Sequence, residues 1–191
     1  MAARSHPRSS VATWRGAAAA GALLAWACTP PPVDFSRPVA CSNVPAEEVP
    51  SEGWAHVDEG TPLEYAHNPP ASGPHYPSWG RYGVHATVLE RPYWVHNVEH
   101  GAVVLLYRPD APADAVDELR AAYDDIPLDP TCLHRRTVLT ADPLLDVPVA
   151  AVTALRVKKG DRLARAEVVT FARACRGHAP EDVCTDGSQG D

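Results

Sequence analysis

No Cys-x-x-Cys pair occurs anywhere in the 191 residues. That absence excludes a thioredoxin-like redox centre and a zinc ribbon, both of which need two sulfurs close together in the chain. Basic residues are in deficit, with 17 Lys and Arg against 24 Asp and Glu and a formal net charge of −7. A chain of that sign lacks the positive footprint that phosphate backbones require, so nucleic acid is not an expected partner. Acidity suits a cation, although it most often serves solubility alone. No internal repeat is present, and no apolar run is long enough for a comfortable membrane span. The length suits one domain preceded by a leader.

The leader is residues 1–27. Arg4, Arg8 and Arg15 make its start positive, and the short run "GAAAAGALLAWA" ends it in small residues. This is the pattern of a signal peptide. Cys28 follows in "LLAWAC", which resembles the lipobox of bacterial lipoproteins, with Leu24 one position early and Trp26 unusual there. Two outcomes are open: lipidation of Cys28, the reading adopted, or plain cleavage after Ala25-Trp26-Ala27. Residues 28–40 then form a proline-rich tether, stiffened as polyproline II. Removal of the leader leaves 14 Lys and Arg against 24 Asp and Glu, a formal charge of −10. The expected location is the periplasmic or outer face of a bacterial cell envelope, with the membrane reached through the lipid anchor.

Cys41, Cys132, Cys175 and Cys184 remain, and an even count in an exported chain implies two disulfides with three possible connectivities. The expected pairing is Cys175–Cys184 as a local staple and Cys41–Cys132 as the long tie. A single α+β domain is expected over residues 41–184, with a flexible tail at 185–191. Residues 67–83, "HNPPASGPHYPSWGRYG", carry Pro69, Pro70, Gly73, Pro74 and Pro77, so no helix or central strand can cross them. Strands are expected at residues 84–89, 101–107, 135–141 and 149–157. Helices are expected after Asp110 and Asp161 as caps, the second with Ala164, Val168, Phe171, Ala172 and Cys175 inward. The sheet should have four or five strands, with two helices and the long Pro-rich loop.

Within "WVHNVEHGAVVLLY", His96, Glu99 and His100 stand immediately before a buried strand. Four residues in a strand span roughly 13 Å, too far for two rings to hold one ion, whereas on a helical turn they rise about 6 Å. The pair is therefore read as one tight turn, ended by Gly101 in the left-handed conformation. The string also satisfies H-x-x-E-H, a zinc-peptidase pattern, but those motifs lie in a long helix that Gly101 and "AVVLLY" leave no room for. Prolines hold His75 in a restricted backbone, and His67 opens the same loop. His67, His75, His96 and His100 are thus the expected metal ligands, for copper or zinc. Glu99 is a fifth ligand, an orienting partner for a ring, or a catalytic base acting on bound water. His56, His85, His134 and His178 read as ordinary surface or hydrogen-bonded residues. Ser72 lacks any visible partner for nucleophilic work, and Trp79, Tyr82, Tyr93, Trp94 and Tyr107 read as packing residues.

The loop with Pro69, Pro70, Ser72, Gly73, Pro74 and His75, followed by His96, Glu99, His100 and Gly101, resembles the domain of unknown function 3105 family. That family pairs a Pro-Pro-x-Ser-Gly-Pro-His loop with a His-Asn/Ser-x-Glu-His-Gly segment entering a strand. The resemblance spans residues 56–171 and implies export or membrane anchoring. It supplies no chemistry. An Ala-Trp-Gly segment common among members is replaced here by "TALRV". Three functions remain in contention: a metal-binding domain of the envelope, a metal-dependent hydrolase or oxidoreductase using Glu99, and an interaction module with structural histidines.

Overall fold

The computed structural model describes Met1 and residues 39–191, all of the latter within one compact unit. Residues 2–38, which include Cys28 and most of the expected leader and tether, lie outside the described residues. The described residues build a six-stranded mixed sheet with three α-helices. Six strands replace the expected four or five because a two-residue edge strand is added and the run expected as one strand at 149–157 folds as two. The two edge strands are each two residues long. These are β1 (Glu47–Glu48) and β2 (Gly83–Val84).

The run Val103–Tyr107 forms β3, at the centre of the sheet. It pairs in parallel with β4 (Thr137–Ala141) and antiparallel with β5 (Val149–Thr153). Both of its faces are covered, which is why its sequence is continuously apolar rather than alternating. Val103 and Leu105 point to one core, with Leu119 and Phe171; Val104 and Leu106 point to the other, with Trp94 and Val98. Residues 149–157, expected as one strand, fold as a hairpin of β5 and β6 (Arg156–Gly160). The chain reverses at Leu155, in the left-handed region at φ 59°. Of the strand expected at 84–89, only Val84 lies in a strand, within β2.

Two helices cover the first core: α2 (Ala113–Asp125) and α3 (Arg165–Cys175). Their expected aspartate caps are corrected. Pro112 and Ala164 stand at the N-caps, with no side-chain cap bond, and Asp110 pairs with Arg108.

The remaining helix, α1 (Arg91–Glu99), was expected only as a single turn. It begins earlier, with Pro92 in the first turn, where its missing N–H costs nothing. The end is as expected. Gly101 has φ 81°, its N–H bonds Val98 O at 3.0 Å, and the Ala102 N–H bonds Asn97 O at 2.9 Å. This double bond pattern is a Schellman motif, and it delivers the chain from His100 straight into β3. A Cβ on Gly101 would also stand 2.5 Å from Arg136 and 2.9 Å from the Gly177 backbone. Arg136 is fully buried and donates to the His100 carbonyl and to Asp182.

The disulfides correct the expected pairing. Cys41 joins Cys175, and Cys132 joins Cys184. Cys41 and Cys175 both face the α2–α3 core, so burial rather than closeness in sequence selects the partners. Such bonds suggest a location outside the cytoplasm. Among the described residues, no helix is long and apolar enough to cross a membrane. Residues 185–191, expected as a flexible tail, are tied down. The N–H groups of Ser188 and Gln189 donate to Trp79 O at 3.0 and 3.1 Å, and the Arg81 N–H donates to Gln189 O at 2.8 Å.

Replacing Cys41 and Cys175 together by Ala is expected to lower the unfolding free energy by about 2–5 kcal/mol, since the bond closes a long loop. A fall in the urea midpoint measures this; an unchanged midpoint would contradict the role assigned to the bond. Gly101→Ala should destabilise by more than 1 kcal/mol, since it combines left-handed strain with a backbone collision. Thermal unfolding reads that effect.

Candidate metal centre

The cluster is assembled from three segments, each held differently. Helix α1 presents His96 and Glu99, one turn apart, and His100 follows at its C-cap. The Pro-rich loop presents His75, fully buried. A third segment enters alongside that loop: the His75 N–H donates to Ala55 O at 3.0 Å, and the Val57 N–H donates to His75 O at 2.9 Å. This isolated bridge sets His56 beside His75.

Further bonds lock the loop. The Ser72 hydroxyl accepts the Glu52 N–H at 2.8 Å, which gives the buried serine a structural task. The Asn97 side chain accepts the Gly80 N–H at 2.9 Å and donates to Gly80 O at 2.8 Å. That places Trp79 over the histidines, with ring centroids 5.0 Å from His96 and 4.7 Å from His100.

The ring nitrogens are sorted by these contacts. His75 Nδ1 lies 2.8 Å from Gly73 O, and His96 Nδ1 lies 2.7 Å from Tyr76 O. A carbonyl oxygen can only accept, so both Nδ1 atoms carry the proton. In the neutral rings the lone pair is then on Nε2. Those Nε2 atoms converge on one carboxylate oxygen. Glu99 Oε2 is 3.0 Å from His75 Nε2, 3.6 Å from His56 Nε2 and 4.0 Å from His96 Nε2. One ligand atom from each of His56, His75, His96 and Glu99 falls within 4.8 Å of all the others, so this group could hold a metal ion. The two Nε2 lone pairs of His75 and His96 and a carboxylate oxygen at that spacing repel one another unless a proton or metal cation sits among them.

His96 is only 2% exposed. Burial pushes its pKa down to about 3, with the neighbouring histidines adding to the shift and the Tyr76 carbonyl opposing it. Its ring therefore stays neutral at any ordinary pH, as a metal ligand must. Burial also lowers the pKa of His100, against the pull of Glu181. His100 Nε2 lies 3.1 Å from His96 Nε2 and 3.2 Å from Glu181 Oε2. Glu99, His100 and Glu181 form a second group whose ligand atoms meet the same spacing.

Of the residues expected as ligands, the fold brings His75, His96 and His100 together. His67 is not among them: its Nδ1 sits 2.8 Å from Glu52 Oε1 on the outer part of the loop. His56 takes the place expected for it. Nothing in "GWAHVDEG" marks His56 as a ligand, because its position depends on backbone pairing with a segment about twenty residues away. Glu181 was missed for the same reason.

The whole cluster lies within residues 56–187, which match the model of a protein family. The chain belongs to the family described as protein of unknown function (DUF3105). No curated protein and no solved structure matches the chain. The family match begins at His56, the residue whose spacing carried no signal, and it extends past Glu181.

For the metal-free protein, the depressed His96 pKa sets a pH dependence. The unfolded ring takes a proton near pH 6.5 and the folded ring only near 3, so the unfolded state binds more protons between those values. Stability from this group is complete above pH 6.5 and declines as the pH falls. The expected loss is of order 2 kcal/mol by pH 4.5. Urea titrations of the chelator-treated protein should show this slope, and His96→Gln should flatten it by about one proton.

Proposed function

We propose that the chain is an exported, lipid-anchored metal-binding domain of the bacterial cell envelope. Its ion would be held by His56, His75, His96 and Glu99. The single observation that carries this reading is the opposed use of the ring nitrogens: Nδ1 clamped to backbone carbonyls, Nε2 turned to a common point. Metal-binding histidines have this arrangement because the carbonyl fixes the tautomer and orientation of the ring.

The donor set favours copper or zinc. Three imidazoles and a carboxylate suit either ion, and all four domain cysteines are consumed in disulfides, so no thiolate is offered to a softer ion. Among the cluster histidines, His56 alone is exposed, with 52% of its side chain open to solvent. It gives the ion a route in and out, which suits storage, delivery or sensing. Export draws support from the leader sequence and from the two disulfides. The lipid anchor draws support from Cys28 and the prolines after it.

The enzymatic alternative has less behind it. A base acting on bound water should be free to face that water, yet Glu99 is buried with Oε2 against His75 Nε2. A cleft of about 600 Å³, lined by Thr61, Leu63, Tyr65, Leu89, Arg91 and Leu144, includes none of the cluster residues. Purely structural histidines would spread their nitrogens over separate partners, whereas these converge.

The test is elemental analysis of the exported protein after exhaustive dialysis against zinc or copper. At least one equivalent should remain bound. His75→Ala should lose it, His56→Ala should weaken binding tenfold or more, and His67→Ala should leave it unchanged. A native-like circular dichroism spectrum confirms folding for each variant. A wild-type protein that retains no metal would refute the proposal.

A further inference from the structure

The carboxylate of Glu99 belongs to both groups of potential ligands. On one side stand His56, His75 and His96. On the other stand His100 and Glu181, and His100 does not join the first group although its Nε2 is 3.1 Å from that of His96. The second side is built with the same care. The Glu181 N–H donates to the Glu99 backbone carbonyl at 3.1 Å, which fixes Glu181 against the end of α1. Next along the chain, Asp182 receives Arg136 Nη1 at 2.6 Å, and Cys184 is anchored to Cys132. Glu181 is therefore delivered to His100 by three independent ties.

Counting protons exposes a deficit. The Nδ1 proton of His96 is committed to Tyr76 O, so its Nε2 presents a lone pair to His100 Nε2. One proton on His100 Nε2 can serve either that lone pair or the Glu181 carboxylate at 3.2 Å. His100 Nδ1 is then left buried with no hydrogen-bond partner. Two carboxylates and several imidazole lone pairs thus crowd around very few protons. One cation among His56, His75 and His96 answers half of this arrangement. The other half, His100 Nε2 and the Glu181 carboxylate, is left without one.

We propose that the site is binuclear, with Glu99 bridging two divalent cations and with His100 and Glu181 holding the second. This rests on the metal-binding reading above and extends it. A carboxylate has two oxygens and commonly spans ions about 3.5–4 Å apart. Glu181, 53% exposed at its side chain, opens the second position to solvent as His56 opens the first.

The experiment uses the full exported chain and two probes. Zinc stoichiometry by calorimetry and elemental analysis should give two equivalents for wild type and one for Glu181→Gln. Copper(II) titration followed by electron paramagnetic resonance should show an isolated-ion signal that grows to one equivalent. It should then fall as the second ion couples to the first. In Glu181→Gln the signal should grow to one equivalent and stay there. His100→Ala provides an independent variant with the same expected result. One equivalent in wild type, unchanged in Glu181→Gln, would overturn the second position and leave the first intact. Two equivalents whose copper signals add without coupling would overturn the bridge. Zero equivalents would instead refute the metal-binding function itself.

Discussion

Two hydrogen bonds, from His75 Nδ1 to the Gly73 carbonyl and from His96 Nδ1 to the Tyr76 carbonyl, decide the chemistry of this domain. Each consumes the one proton a neutral imidazole carries and so turns the opposite nitrogen into an acceptor. The acceptors are aimed at Glu99, which is itself buried and anionic when ionised. Such an arrangement is costly to hold without positive charge at its centre. The carbonyl partners come from the Pro-rich loop, whose backbone has little freedom to relax away. Rigidity in the loop and electron richness in the cluster are therefore two aspects of one constraint.

The sheet supplies the floor. β3 is buried on both faces and leaves α1 through a Schellman turn, so His96, Glu99 and His100 cannot shift without disturbing the central strand. Buried Arg136 reinforces this from below by donating to the His100 carbonyl, at the negative end of the helix dipole. The same guanidinium holds Asp182 and so positions the segment that carries Glu181. A single side chain thus couples the end of the helix to the C-terminal part of the chain.

The two disulfides divide their work along the same lines. Cys41–Cys175 closes the core behind α2 and α3, away from the histidines. Cys132–Cys184 fastens the C-terminal segment, whose backbone then runs along Trp79 and Arg81 beside the cluster. Trp79 is held between that segment and Asn97 and lies against His96 and His100. The histidines are therefore shielded on one side by an aromatic ring and reached from solvent at His56.

Local signals in the sequence were sufficient for several features. The apolar run before Arg108 marked a buried strand, Gly101 marked the end of a turn, and the prolines marked a rigid loop carrying His75. The four-residue spacing of His96 and His100 placed both rings on one side of a helical turn. These are properties of neighbouring residues, settled by backbone sterics and periodicity. What tertiary structure alone decided is everything that depends on meeting across the chain. It brought in His56 through a backbone bridge, sent His67 to Glu52, added Glu181, and paired Cys41 with Cys175. No spacing rule encodes those outcomes, because each is set by which surfaces the sheet and its two cores press together.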